Sequence, residues 1–156
     1  EGAGKIKRIE DRARERLEKK EHLKKLMRQV RMVDTTEGIR IDLVDDADFS
    51  MFALGTTVLT SDARELLNLI GEAVAPEMGE VIVRGHTDAL KYRDTTRVNN
   101  WSLSAGRAEA TRQALMRQGV ADGRFRRIEG VADTEPLIKD DPTDPRNRRI
   151  SIVIAD

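Results

Sequence analysis

The spacing of apolar side chains changes along this chain, and each change marks an element. Over residues 5–33, Ile6, Ile9, Ala13 and Leu17, then Leu23, Leu26, Val30 and Val33, recur at steps of three and four. A skip falls at Lys20 and Glu21, and Lys, Arg and Glu fill most other positions. That spacing, in residues of good helix propensity, predicts one amphipathic helix over 5–33. At ~1.5 Å per residue it would reach roughly 40 Å. A stripe this narrow and interrupted fits packing on the following domain or a short coiled coil or spacer about equally. Lying on an anionic membrane surface ranks third, because the apolar face lacks aromatics.

From Asp34 the step becomes two. Ile39, Ile41 and Leu43 alternate with Arg40 and Asp42, as in a half-buried strand. The acidic stretch Asp45 to Asp48 ends it and reads as a solvated turn, since it lacks the spacing and the bidentate Glu of a calcium loop. Phe49, Met51, Phe52 and Leu54 then anchor a connection across the core. Thr60-Ser61-Asp62 caps a helix whose stripe is Ala63, Leu66, Leu67, Ile70, Ala73 and Val74, closed by Pro76 and Gly79. Val81-Ile82-Val83 is continuously apolar, like a central strand covered on its faces. A long polar loop follows, then a helix from near Ser102 to Ser104 up to Gln118, stopped by Gly119. A short strand at 126–129, a proline-punctuated loop over 131–147 and a strand through Ile150, Ile152 and Ile154 complete the chain. The order predicts an α+β fold, with helices packed on one face of a mixed sheet and a long helix in front of it. The expected division is a charged helix or linker over 1–33 and one domain over 34–156.

Charge supports that division. Residues 1–33 hold 12 Lys/Arg against 6 Asp/Glu, whereas residues 34–156 hold 16 against 22. Aromatics are 3% of the chain, so the core must be aliphatic. Without cysteine there is no disulfide, thiolate metal site or cysteine nucleophile. No apolar run approaches the ~20 residues of a membrane helix, and no signal-peptide pattern is present. Arg112, Arg117, Arg124, Arg126 and Arg127 could suggest nucleic acid, but the domain is acidic on balance and poor in stacking residues, so no nucleic-acid partner is expected.

The candidate chemistry lies between Val81 and Ala108. A strand end, a loop and a helix N-terminus meeting at one edge can bind an anion. Asp88 and Arg107 add a carboxylate and a guanidinium to that edge, a pair suited to a zwitterion. Taken singly, Asp88 could be a turn residue and Arg107 a surface arginine. His86, Asp88 and Ser102 or Ser104 also contain the residue types of a hydrolase triad, but no nucleophile elbow accompanies them. With no second His or Cys near His86, a metal has little support, and neither catalysis nor a cofactor is expected.

Three motifs in order, Gly85-His86-Thr87-Asp88-Ala89, Asn100-Trp101-x-Leu103-Ser104-Ala105-x-Arg107-Ala108 and Asn147-Arg148-Arg149-Ile150-Ser151-Ile152, resemble the OmpA-like peptidoglycan-binding domain. The resemblance covers roughly residues 37–155, and the Asn100-Trp101 pair looks like the MotB type found in flagellar motor stators. It implies that Asp88 and Arg107 hold the diaminopimelate of the peptidoglycan stem peptide. Thr87, Asn100 and Leu103 would lie in the same site, with Arg148 a weaker contact. It further implies a homodimer, a membrane stator partner (MotA), and a periplasmic place as part of a single-pass inner-membrane protein whose membrane helix lies outside this sequence. Asn99 stands where the usual motif has Tyr, and the loop Ala89 to Asn99 is longer than in outer-membrane relatives. Both departures bear on the cleft's shape.

Overall fold

The computed structural model describes residues 2–17, 21–90 and 99–155. In chain order the elements are α1 (Gly2–Leu17), α2 (Glu21–Leu26), β1 (Val30–Thr35), β2 (Gly38–Val44), α3 (Ser61–Val74), β3 (Val81–His86), α4 (Asn100–Arg117), β4 (Phe125–Gly130) and β5 (Arg149–Ala155). The strands form one mixed sheet in the order β1-β2-β5-β3-β4. The β3–β4 pair is parallel and the other pairs are antiparallel. The expected α+β architecture is therefore what the chain adopts.

Strand alternation sorts the two faces of the sheet. Ile39, Ile41 and Leu43 on β2, Val81 and Val83 on β3, and Ile150, Ile152 and Ile154 on β5 join one aliphatic core with Leu66, Leu67 and Ile70 of α3 and Leu115 of α4. Thr60 starts α3 as expected, its side chain accepting from the Ala63 amide. On the opposite face Asp42 and Ser151 sit side by side in register and are buried, the Ser151 hydroxyl donating to Asp42 Oδ1 at 2.6 Å.

The single helix expected over 5–33 is not formed. Helix ends at Leu26, Met27–Gln29 make a 3₁₀ turn, and Val30–Thr35 pair antiparallel with Gly38–Leu43. Val30 and Val33, three apart, satisfy a helical stripe, but Val30 and Met32 also alternate, and they pack against the core. β-branched valines favour the extended state once a partner strand is available. The turn closing this hairpin needs a glycine: Gly38 has φ 137°, and a Cβ there would strike the Ile154 carbonyl.

α1 lies across α3 rather than standing free. Ile9 and Ala13 are fully buried in the common core. Arg8 and Arg12 both bind the buried Glu77 carboxylate just beyond α3, and Arg16 pairs with Glu72 on α3. Among the described residues no helix is long and apolar enough to cross a membrane.

Candidate ligand-binding cleft

The C-terminal ends of β2 and β3, the start of β5 and the N-terminus of α4 converge at one edge of the sheet. After β3 the backbone is pinned to the loop over 131–147, with the Thr87 amide donating to Ala132 O and the Ala89 amide to Pro142 O, both at 2.9 Å. That loop is stitched by Asn147, which is fully buried. Its Oδ1 accepts from the Ile138 amide at 2.6 Å, and its Nδ2 donates to Asp141 O at 2.9 Å. α4 crosses directly over β3, because Gly85 has no side chain: a Cβ there would collide with the Ser104 carbonyl. The helix starts at Asn100, earlier than expected, because Asn99 rather than a serine caps it. Asn99 Oδ1 accepts from the Ser102 amide, and the Asn99 amide donates to Ser102 Oγ. Residues 91–98 of the long polar loop lie outside the described residues.

Thr87, Asp88, Asn100, Leu103, Arg107 and Arg148 all line one cleft of about 300 Å³. Asp88 and Arg107 are buried, 5% and 6% exposed. Arg107 donates through Nε to Thr56 O at 2.8 Å and lies 5.0 Å above the Phe52 ring, so its plane is fixed by a carbonyl and an aromatic face. Asp88 Oδ1 accepts from the Leu90 amide at 2.9 Å and its Oδ2 accepts from Arg148 Nη1 at 2.7 Å. Asn100 Nδ2 donates to Leu90 O at 3.1 Å, holding the segment after Asp88 against α4. The Thr87 hydroxyl is buried and has no hydrogen-bond partner among the described residues. Phe52 and Leu103 supply apolar wall.

The sequence reading missed Asp45. It is not a solvated turn residue but 4% exposed on the cleft, accepting from the Met51 amide at 3.0 Å and from Arg148 Nε at 3.1 Å. Burial raises its carboxyl above the usual aspartate range, against the pull of the Met51 amide and Arg148. Burial alone would lower the Arg148 guanidinium, yet Asp88 and Asp45 together hold it above its ordinary value.

No hydrolase triad assembles from the expected residues. His86 Nε2 faces Ser151 Oγ at 3.3 Å on the other side of the sheet from α4. Ser104 Oγ donates to Trp101 O and accepts from the Ala132 amide, and Ser102 is spent on the helix cap. Burial, reinforced by Arg149, Arg84 and Arg40, pushes the His86 imidazole down to about 3. Among the described residues no cluster of His, Cys, Asp and Glu could hold a metal ion.

Comparison with known proteins identifies relatives of this fold. The chain is 34% identical over 119 residues to Motility protein B of Escherichia coli K12, covering 76% of this chain and 39% of that protein. It thus spans about two fifths of the length of that relative. The cell wall anchor of the T6SS from Pseudomonas aeruginosa superposes with a TM-score of 0.69 at 27% identity, over 86% of this chain and 97% of the other. The periplasmic domain of Helicobacter pylori MotB superposes with a TM-score of 0.68 at 19% identity, over 80% and 87% of the two chains. Residues 51–149, which hold most of the cleft's lining and end at the first residue of β5, match the OmpA family. The chain belongs to the OmpA family.

Proposed function

We propose that this domain is a non-catalytic module that binds peptidoglycan and anchors a flagellar motor stator to the cell wall. The observation that carries the reading is the pair of buried, oppositely charged side chains, Asp88 and Arg107, at one cleft of about 300 Å³. That size suits one amino-acid side chain with two charged ends, at the small end of ligand pockets. The diaminopimelate of a stem peptide has that form. Its ammonium goes to Asp88, at the end of the cleft that Arg148 also lines, and its carboxylate goes to Arg107. The unpartnered Thr87 hydroxyl offers a further hydrogen bond, Asn100 keeps the Asp88 segment in place, and the methylenes pack on Leu103 and Phe52. Each charge-assisted bond contributes ~1.5–3 kcal/mol where water is excluded.

Such a site is weak alone. Dimerisation, together with many copies of the stem peptide along the polymer, raises retention without new contacts. Similarity to Motility protein B, to a cell wall anchor and to the periplasmic domain of MotB supports the anchoring role and a periplasmic location; a MotA-type membrane partner belongs to the same proposal.

Sedimentation with isolated peptidoglycan sacculi tests the reading. The unmodified chain is expected to co-sediment, and folded Asp88→Asn and Arg107→Ala variants are expected to stay in solution. Binding that survives both substitutions would place the ligand elsewhere. A folded, dimeric chain that never sediments would make the domain a scaffold only.

A further inference from the structure

The Asp88 carboxylate already holds an arginine of its own chain. Its Oδ2 accepts from Arg148 Nη1 at 2.7 Å, while Arg148 Nε reaches Asp45 Oδ2 at 3.1 Å, so one guanidinium spans two buried carboxylates. The two attachments are unequal. Asp45 and Arg148 are also joined through their backbones, the Asp45 amide donating to Arg148 O at 3.0 Å, and Asp45 Oδ1 is fixed by the Met51 amide. Asp88 Oδ1 is likewise held, by the Leu90 amide, but among the described residues no backbone hydrogen bond joins Asp88 to Arg148, so the bond between those two depends on the reach of the Arg148 side chain. A ligand ammonium that takes the place of Arg148 Nη1 on Asp88 Oδ2 displaces that bond. Stripping a partly buried guanidinium of every anion would be costly, but Arg148, a quarter exposed, keeps Asp45.

We infer that Arg148 is a displaceable internal counter-ion filling the place of the ligand's ammonium, and that Asp45 is the positioning residue that retains Arg148 once the ligand has arrived. The inference rests on the zwitterion reading of the cleft. It assigns Asp45 a role without ligand contact, and it makes the free site a closed ion pair that only a cationic group opens. A stem peptide whose side-chain amine is blocked cannot make the exchange.

Calorimetric titration of the full chain with a soluble disaccharide tetrapeptide containing diaminopimelate tests the exchange. Asp45→Asn deprives Arg148 of its second anion, leaves it on Asp88, and is expected to weaken binding about tenfold or more, the equivalent of one charge-assisted bond. Arg148→Gln removes the competitor and is expected to bind at least as tightly as the unmodified chain. The double variant, which loses one charge of each sign, is expected to follow Arg148→Gln rather than Asp45→Asn. N-acetylation of the probe's side-chain amine is expected to abolish binding. The inference is overturned if the double variant binds tenfold more weakly than the unmodified chain, or if the acetylated probe binds normally. If Arg148→Gln, with its two facing carboxylates, does not melt cooperatively, the double variant decides alone. An unmodified chain that melts cooperatively yet does not bind the tetrapeptide overturns the cleft reading itself, and this exchange with it.

Discussion

Replacing Glu77 by glutamine is expected to loosen α1 without unfolding the sheet. Glu77 receives three charge-assisted hydrogen bonds: from Arg8 Nε at 3.2 Å, Arg8 Nη2 at 3.0 Å and Arg12 Nη1 at 2.7 Å. Arg8 is half exposed, so solvent screens its share to a few tenths of a kcal/mol, while the better-buried Arg12 bond keeps ~1.5–3 kcal/mol. Glutamine still accepts a neutral hydrogen bond, which leaves a net loss of about 2 kcal/mol. Burial of Ile9 and Leu17, ~1.5–3 kcal/mol each, keeps α1 docked on average. Amide hydrogen exchange reads the difference directly: protection over Gly2–Leu17 is expected to fall about thirtyfold while that of β3 and β5 holds. The Arg8 hydrogen bonds hold the Glu77 carboxyl below its ordinary value, against burial and with help from Arg12. This contribution is thus present above the unfolded value of 4.5 and is lost as pH falls through the folded one. Unchanged protection in α1, or an equal fall in β5, would refute the clamp.

His86 carries the clearest pH signature. Its imidazole is depressed from 6.5 to about 3, so the folded state resists protonation and stability is lost as pH falls from 6.5 toward 3, by roughly 1.4 kcal/mol per pH unit. Urea unfolding at pH 7 and pH 5 is expected to differ by about 2 kcal/mol and His86→Gln to remove the difference, and an equal difference in both proteins would refute the assignment. Asn147→Ala leaves the Ile138 amide and the Asp141 carbonyl without their partner and is expected to cost about 2–4 kcal/mol. A melting temperature within about 2 °C of the unmodified chain would contradict it. Gly85→Ala drives α4 away from β3 and is expected to cost ~1–3 kcal/mol and to abolish sacculus binding; full binding would mean that the α4 crossing does not shape the cleft.

Elements whose signal is local were legible in the sequence. The α3 stripe with its Thr60 cap, the apolar β3 and the alternating β5 each announce themselves within a few residues. All six expected site residues share one cleft, because three of the motifs sit at the ends of elements that the sheet order brings to one edge. β1 was misread because the three-residue step from Val30 to Val33 fits two periods, and only pairing with β2 decides between them. Asp45 was misread for a different reason. Its burial depends on Arg148, 103 residues away, and a single Asp in an acidic run carries no local mark of such a partner. The same holds for His86, whose partner Ser151 comes from β5.

Among the described residues, the charges lining the cleft are Asp45, Asp88, Arg107 and Arg148, two of each sign packed close together. Their charges sum to zero, so their combined field falls off faster than that of a single ion and is screened further over the ~8–10 Å Debye length of ordinary salt. These four charges therefore do little to draw a stem peptide in from a distance and add little salt dependence to its association rate. Recognition begins only on contact. A module of this kind holds to a polymer by many brief, short-range engagements, and the spacing of its neighbouring ligands, not their charge, sets how soon it catches again.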